Sequence, residues 1–333
     1  MTSNPNTSLT IDTHHHILPD FFWQETNDSH DPVGGLAPLQ WSKEAMLSFM
    51  DDAGIDVAVM SVSTPGVHLG DSEQARSLAR RCNEFAAELV HARPDRFASF
   101  ACLPLPDIDA SLAELSYALD VLKLDGLVLF TNSRGVYLGD ATLEPVFEEL
   151  ERRQSVVFVH PNPAPDAAAH LLGLPDNLID FPTDTNRAVA QPHYTNRFAR
   201  TRNVKYIFSH AGGSIPYLAA RFAIIDEMGF IAGAEQRGAA ADMFRRMYWD
   251  TALSTSDPVL RMLRDVAGID QVLFGTDFPY LRRDLAVNAK QRLLDSSELS
   301  QLEKPAVLGG NAARLFPRLD SVLFDRKSKE TGL

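Results

Sequence analysis

Short runs of apolar and β-branched residues recur along the 333-residue chain, and each is followed by a longer stretch with helical periodicity. Near-continuous hydrophobic strands that alternate with helices are typical of a parallel sheet buried on both faces. Eight such strands favour a (β/α)8 barrel over an open sheet. An open sheet usually carries a glycine-rich phosphate-binding loop after a strand, and no strand here is followed by such a loop. The predicted strands are 9–16, 57–63, 97–104, 126–132, 155–161, 204–212, 247–253 and 272–279.

Composition narrows the class of protein. A hydrophobic content of 45% and a charged content of 23% indicate a globular chain with a sizeable core, and we expect one domain over 1–333. A net charge of −13 argues against nucleic acid or an anionic membrane as partner, and no apolar run reaches the length of a membrane span. Two cysteines, Cys82 and Cys102, are too few for a disulfide framework and indicate a reducing, cytoplasmic compartment.

Two turn-rich stretches interrupt the alternation of strands and helices. They cover 19–42 and 161–184, and we expect both to be loop insertions at the C-terminal mouth of the barrel, where active-site loops lie. Aromatic residues in these stretches favour a pocket wall. Phe22 and Trp23 are predicted to contact the substrate, and Phe181 is predicted to line the pocket.

Three consecutive histidines end the first predicted strand. Because side chains alternate across a strand, His14 and His16 share one face and His15 lies on the other. The two imidazoles on one face are about 6.6 Å apart along the strand by the usual rise per residue, so they can chelate one metal ion. His15 is expected to pack against the barrel. Asp12 shares the face of His14 and His16 but lies deeper, where it is expected to support the ligands.

Further polar residues close other predicted strands, namely His160, His210 and Asp277. Each alone could merely cap a following helix, but all strand ends of a barrel meet at one mouth. Imidazoles and a carboxylate without thiolates suit one divalent ion, Zn²⁺ with Mn²⁺ as an alternative. If His14, His16, His160 and Asp277 are the ligands, His210 is left beside the metal as a general acid or base.

Five motifs resemble the amidohydrolase superfamily. They are IDTHHHILP at 11–19, FVHP at 158–161, SHAGG at 209–213, FGTDFP at 274–279 and LGGNAARLF at 308–316. The last two narrow the resemblance to the metal-dependent decarboxylase branch, which includes the aminocarboxymuconate-semialdehyde, γ-resorcylate and 6-methylsalicylate decarboxylases.

The resemblance implies roles for individual residues. It assigns metal ligation to His14, His16, His160 and Asp277, and proton handling to His210. It also implies that Arg221 reaches the substrate carboxylate from a neighbouring subunit, so we expect a homodimer or a higher homo-oligomer.

The end of the fourth predicted strand bears on the number of metals. Binuclear amidohydrolases carry a bridging lysine there, whereas this chain has Thr131, Asn132 and Ser133, and its nearest lysine, Lys123, precedes the strand. The sequence therefore predicts a mononuclear centre.

The expected function is non-oxidative decarboxylation of a small aromatic acid of the salicylate type, such as 6-methylsalicylate, which makes the enzyme a carboxy-lyase. Either His210 or Asp277 delivers the proton that replaces CO2. A mononuclear hydrolase acting on a lactone or an amide is the alternative within enzymes, because it would use the same ligands. A catalytically silent metal-binding or oligomeric scaffold is the alternative outside enzymes.

Overall fold

A computed structural model describes residues 9–26, 39, 41–233 and 238–319. Within these residues, eight parallel strands form one sheet, and their order in the sheet follows their order in the chain. The strands, labelled β1 to β8 in chain order, are Ile11–His16, Val57–Ser61, Phe97–Cys102, Gly126–Phe130, Val156–His160, Lys205–Phe208, Tyr248–Asp250 and Val272–Leu273.

The sheet closes between β1 and the segment that follows β8. The backbone N–H groups of Thr13 and His16 donate to the carbonyl oxygens of Phe274 and Phe278, at 2.9 and 2.7 Å. His15 forms a further parallel bridge to Phe278. Strand β1 thus has a neighbour on each side, and the predicted (β/α)8 barrel is confirmed.

Burial explains why the strands are apolar along their whole length. Every residue of β1 to β5 is buried, since one face of the sheet fills the barrel and the other meets helices. The helices of the described ranges, α1 to α13, are Asp20–Thr26, Lys43–Ala53, Ser72–Ala92, Ile108–Ser116, Glu144–Arg153, Asp176–Tyr194, Arg197–Arg200, Ile215–Met228, Ala240–Phe244, Asp257–Val266, Arg283–Asp295, Glu303–Pro305 and Asn311–Ala313. None of them combines the length and the apolar composition that a bilayer span requires.

Aspartates cap the N-termini of helices α3 and α4. The side chain of Asp71 accepts a hydrogen bond from the backbone N–H of Gln74 at the start of α3, and Asp107 accepts one from Ala110 at the start of α4. Such caps satisfy backbone donors that have no partner within the helix.

Both stretches predicted as irregular contain helix. Helix α1 lies inside 19–42, and α6 begins inside 161–184, whereas 27–38 and 40 lie outside the described residues. The prediction of loop over these helices was wrong because proline and aspartate mark helix starts as well as turns. Pro19 directly precedes α1, and Pro175 directly precedes α6.

Two polar residues that were predicted to close strands lie beyond them. Strand β6 ends at Phe208, and His210 opens the short 3₁₀ turn His210–Gly212. Strand β8 ends at Leu273, four residues before Asp277. Both residues have positive φ, 54° for His210 and 60° for Asp277, and this backbone conformation turns their segments over the mouth of the barrel.

Candidate metal centre and cavity

Five predicted residues converge at the C-terminal mouth. His14 Nε2 lies 3.1 Å from His16 Nε2, and each of these nitrogens lies 3.2 Å from Asp277 Oδ1. One potential ligand atom from each of His14, His160, His210 and Asp277 lies within 4.8 Å of the others. His16 adds a further nitrogen to this group, so the cluster holds more donors than one tetrahedral ion needs.

Strand β1 presents its histidines as the alternation of side chains predicts. His14 and His16 face the centre, whereas the His15 ring stacks on Phe278 with centroids 4.7 Å apart. His15 Nδ1 lies 2.9 Å from Asp12 Oδ2. The packing role expected for His15 is therefore what the structure shows.

Three of the histidines are oriented by a contact at Nδ1. His14 Nδ1 lies 2.8 Å from Asp250 Oδ2, His16 Nδ1 lies 3.2 Å from Ser61 Oγ, and His160 Nδ1 lies 2.8 Å from the carbonyl oxygen of Pro161. When Nδ1 carries the proton, Nε2 keeps a lone pair for a metal ion. The carbonyl oxygen at His160 and the carboxylate at His14 can only accept a hydrogen bond, so each holds a proton on the Nδ1 atom that faces it.

Asp250, the last residue of β7, is a functional candidate that the sequence reasoning missed. Its Oδ2 contacts His14, and its Oδ1 accepts hydrogen bonds from the backbone N–H groups of His210 and Ala252, each at 2.9 Å. Asp250 thereby links β1 to the turn that carries His210. A polar residue at the end of a barrel strand was the available signal, because it is the same signal that marks His160.

Asp12 supports the centre through the backbone. Its carboxylate accepts hydrogen bonds from the backbone N–H of His14 at 3.1 Å and from the N–H and hydroxyl of Thr276 at 3.0 and 2.5 Å. These bonds hold the segment before Asp277 against β1. Gly275 allows this close approach, since a Cβ there would lie 2.8 Å from the His14 Cβ.

Burial and neighbouring charges shift the pKa values of the residues in the centre. Burial lowers the pKa of His14, but the Asp250 and Asp277 carboxylates outweigh burial and raise that pKa to about 10. Burial lowers the pKa of His16 and, more strongly, that of His160, where the neighbouring imidazoles add to the effect. Although burial raises the pKa of Asp277, the positive charge of His14 holds it well below its usual range. The two carboxylates thus favour a positive charge between the side chains of the cluster, and a divalent ion bound there would supply it.

A cavity of about 430 Å³ lies over this cluster. His160, His210 and Asp277 form part of its wall, and the aromatic side chains of Phe181 and Tyr280 form another part. The expectation that Phe181 lines the pocket is confirmed.

A family model described as amidohydrolase matches residues 11–318. The chain belongs to the amidohydrolase family. A 6-methylsalicylic acid decarboxylase from Penicillium expansum is 35% identical over 323 residues, which cover 95% of this chain and 99% of the relative.

Solved structures of other proteins share this fold. The crystal structure of an amidohydrolase II has a TM-score of 0.85 at 28% identity, covering 92% of this chain and 99% of that one. A dihydroxybenzoic acid decarboxylase from Polaromonas sp. JS666, solved with bound manganese and the inhibitor 2-nitroresorcinol, has a TM-score of 0.76 at 24% identity. That match covers 95% of this chain and 98% of the neighbour.

Three predicted substrate contacts of this amidohydrolase lie away from the cavity wall formed by the described residues. Phe22 is fully buried in the hydrophobic core, and Trp23 packs half-buried against that core. Arg221 is exposed on helix α8. The structure therefore does not bring Phe22, Trp23 or Arg221 of this chain to the metal cluster.

At the end of β4, where the sequence has Thr131, Asn132 and Ser133 and no lysine, Thr131 has other partners. Thr131 Oγ1 donates to Asp184 Oδ2 at 2.5 Å and accepts from the backbone N–H of Asn162 at 2.9 Å. Asp184 also accepts from Asn132, so its oxygens are engaged in the wall of the barrel.

Proposed function

We propose that this amidohydrolase is a metal-dependent carboxy-lyase that removes CO2 from a small aromatic acid of the salicylate type, such as 6-methylsalicylate. The observation that carries the proposal is the cluster of His14, His16, His160, His210 and Asp277. Of these residues, His160, His210 and Asp277 line a cavity of about 430 Å³. The activity named for the Penicillium expansum relative supports decarboxylation as the reaction.

The proposed ligands of a single divalent ion are His14, His16, His160 and Asp277. Three imidazoles and one carboxylate suit Zn²⁺, and Mn²⁺ is the alternative, since the Polaromonas neighbour was solved with manganese. When bound, the ion supplies positive charge that holds an anionic carboxylate and polarises it. The end of β4 supports one ion, because Thr131, Asn132 and Ser133 stand there and no lysine is present to bridge two.

The reaction needs one proton at the ring carbon that carries the carboxylate. A C–H bond forms there, the C–C bond to the carboxylate breaks, and the electron pair of that bond restores the aromatic ring as CO2 leaves. His210 Nε2 lies 3.5 Å from Asp277 Oδ2, and both residues line the cavity. Either residue is therefore placed to hold the proton and deliver it.

No lysine or arginine of the described residues lines the cavity, so a second positive group for the substrate carboxylate has to come from outside this wall. We assign this role to Arg221 of a neighbouring subunit in a homodimer or higher oligomer. A planar guanidinium binds a carboxylate bidentately. Helix α8 supports an interface, since Tyr217, Ile224 and Met228 on the same helix are 77%, 55% and 53% exposed.

Aromatic side chains would hold the substrate ring. Phe181 and Tyr280 lie on the cavity wall and are placed for ring contact. Contact with Phe22 or Trp23 is still a prediction, which Trp23→Leu tests through the KM for the aromatic acid. A cytoplasmic location is also proposed, since the buried thiols of Cys82 and Cys102 are free.

The test is a panel of hydroxybenzoates, muconate semialdehydes and lactones with CO2 detection and NMR in D2O. We expect CO2 from a salicylate and one deuterium at the carbon that carried the carboxylate. Turnover of lactones or amides without CO2 from any acid would favour the hydrolase alternative. No turnover of any compound by metal-loaded protein would favour the silent scaffold.

A further inference from the structure

Three buried polar atoms on the cavity wall make no hydrogen bond within the described residues. They are His210 Nε2, Ser63 Oγ and the hydroxyl oxygen of Tyr280. His210 has a place in the proposed reaction, but the two hydroxyls do not. Buried polar groups in folded proteins nearly always have a partner, so two such hydroxyls on one cavity wall point to a ligand.

The two hydroxyls lie beside the metal cluster. The Tyr280 ring meets the His16 ring edge to face, with centroids 5.4 Å apart. Ser63 lies two residues beyond β2, whose last residue, Ser61, contacts His16 Nδ1. The backbone N–H of Tyr280 donates to the carbonyl oxygen of Asp277 at 2.8 Å. The Ser63 hydroxyl is close enough to act on the Tyr280 phenol, so the two hydroxyls are neighbours on the cavity wall.

We propose that the hydroxyls of Ser63 and Tyr280 form a specificity site for a hydroxyl group on the substrate's aromatic ring. A pair of hydroxyls offers both a donor and an acceptor, and a ring hydroxyl needs one of each. A carboxylate would use only donors, and a methyl or methoxy group would leave at least one of the pair unsatisfied. A buried polar group without a partner penalises the wrong ligand more than a good contact favours the right one. The pair therefore selects hydroxylated aromatic acids.

This inference rests on the proposed function, since it assumes an aromatic substrate, but binding tests it without turnover. The probes are 3-methylphenol and its methyl ether 3-methylanisole, in which a methoxy group replaces the ring hydroxyl and removes the donor. Calorimetric titration of metal-loaded protein should give tighter binding of the phenol. Tyr280→Phe and Ser63→Ala should each weaken phenol binding about 10-fold and leave anisole binding within about two-fold.

Thermal unfolding provides the matched control. Tyr280→Phe removes a hydroxyl that has no partner, so its melting temperature should equal or exceed that of the wild type. Tyr206→Phe makes the same change where the hydroxyl contacts Thr201 Oγ1 at 2.8 Å, away from the cavity wall, and should lower the melting temperature with phenol binding unchanged. A merely structural role for Tyr280 would reverse the first result.

Two results would overturn the specificity site. One is wild-type protein that binds 3-methylphenol no better than 3-methylanisole. The other is an unchanged ratio of the two affinities in the Ser63→Ala/Tyr280→Phe double variant. Failure of the proposed function gives a different result, in which the pair controls phenol binding although no aromatic acid releases CO2.

Discussion

Replacing Asp250 by asparagine tests how far the metal centre depends on the carboxylate behind His14. Both side chains are fully buried, and Asp250 Oδ2 lies 2.8 Å from His14 Nδ1. The other oxygen, Oδ1, accepts hydrogen bonds from the backbone N–H groups of His210 and Ala252. The carboxylate therefore accepts on both sides, which a primary amide cannot do.

Asparagine must give up one of these two sides. If its oxygen keeps the backbone N–H bonds, its NH2 group faces His14 Nδ1, so the proton moves to Nε2 and blocks ligation. If the amide is reversed, two buried N–H groups lose their acceptor. In both cases we expect metal affinity to fall 10–100-fold, or about 1.4–2.8 kcal/mol.

The assay is competition for the metal between apo-protein and a chromogenic chelator, with circular dichroism as a check on folding. Asp226→Asn is the matched control, because Asp226 also pairs with a buried histidine, His193 at 3.2 Å, outside the metal cluster. Affinity within two-fold of the wild type for Asp250→Asn would refute the reasoning. An equal loss in both variants would do so as well.

Three further predictions concern the site and the assembly. Elemental analysis of untagged protein should find about one equivalent of divalent metal, and His14→Ala/His16→Ala should remove it; two equivalents in active protein would contradict a mononuclear centre. His210→Asn should keep the metal and lose about 10²–10⁴-fold in turnover, whereas loss of the metal from the same sample would make His210 a ligand. Mixing inactive Arg221→Ala chains with inactive His210→Ala chains should restore part of the activity; no recovery after demonstrated subunit exchange would exclude a shared site.

The barrel could be predicted from sequence because a strand that is buried on both faces consists of an unbroken run of apolar residues. The cluster could be predicted for a related reason, since parallel strands bring their carboxyl ends together whatever their helices do. His16 and His160 show this most simply, because they are the last residues of β1 and β5. His210 and Asp277 reach the same place by positive-φ turns beyond their strands, and no pattern in the sequence specifies those turns.

Contacts that depend on how loops pack could not be predicted. Phe22 and Phe181 are both aromatic residues in turn-rich stretches, yet Phe22 enters the core and Phe181 lines the cavity. The difference arises from the helix on which each residue lies and from the face that the helix buries. Neither helix was predicted, because its proline and aspartate were interpreted as turn signals. Asp250 was missed although it ends β7, because the strand-end signal does not reveal that its carboxylate contacts His14.

We expect the same cluster to make the stability of the protein depend on a bound metal ion. His14 Nε2 and His16 Nε2 lie 3.1 Å apart beside Asp277. Without an ion, these buried nitrogen and oxygen atoms lack a common positive partner, which destabilises the folded state. An ion that binds only the folded state at 100 times its Kd adds about 2.7 kcal/mol to the free energy of unfolding. At about 2 °C per kcal/mol for a large domain, chelation should lower the melting temperature by about 5 °C. His14→Ala/His16→Ala should melt at one temperature with or without added metal. An unchanged melting temperature after elemental analysis has shown the wild type to be metal-free would contradict this coupling.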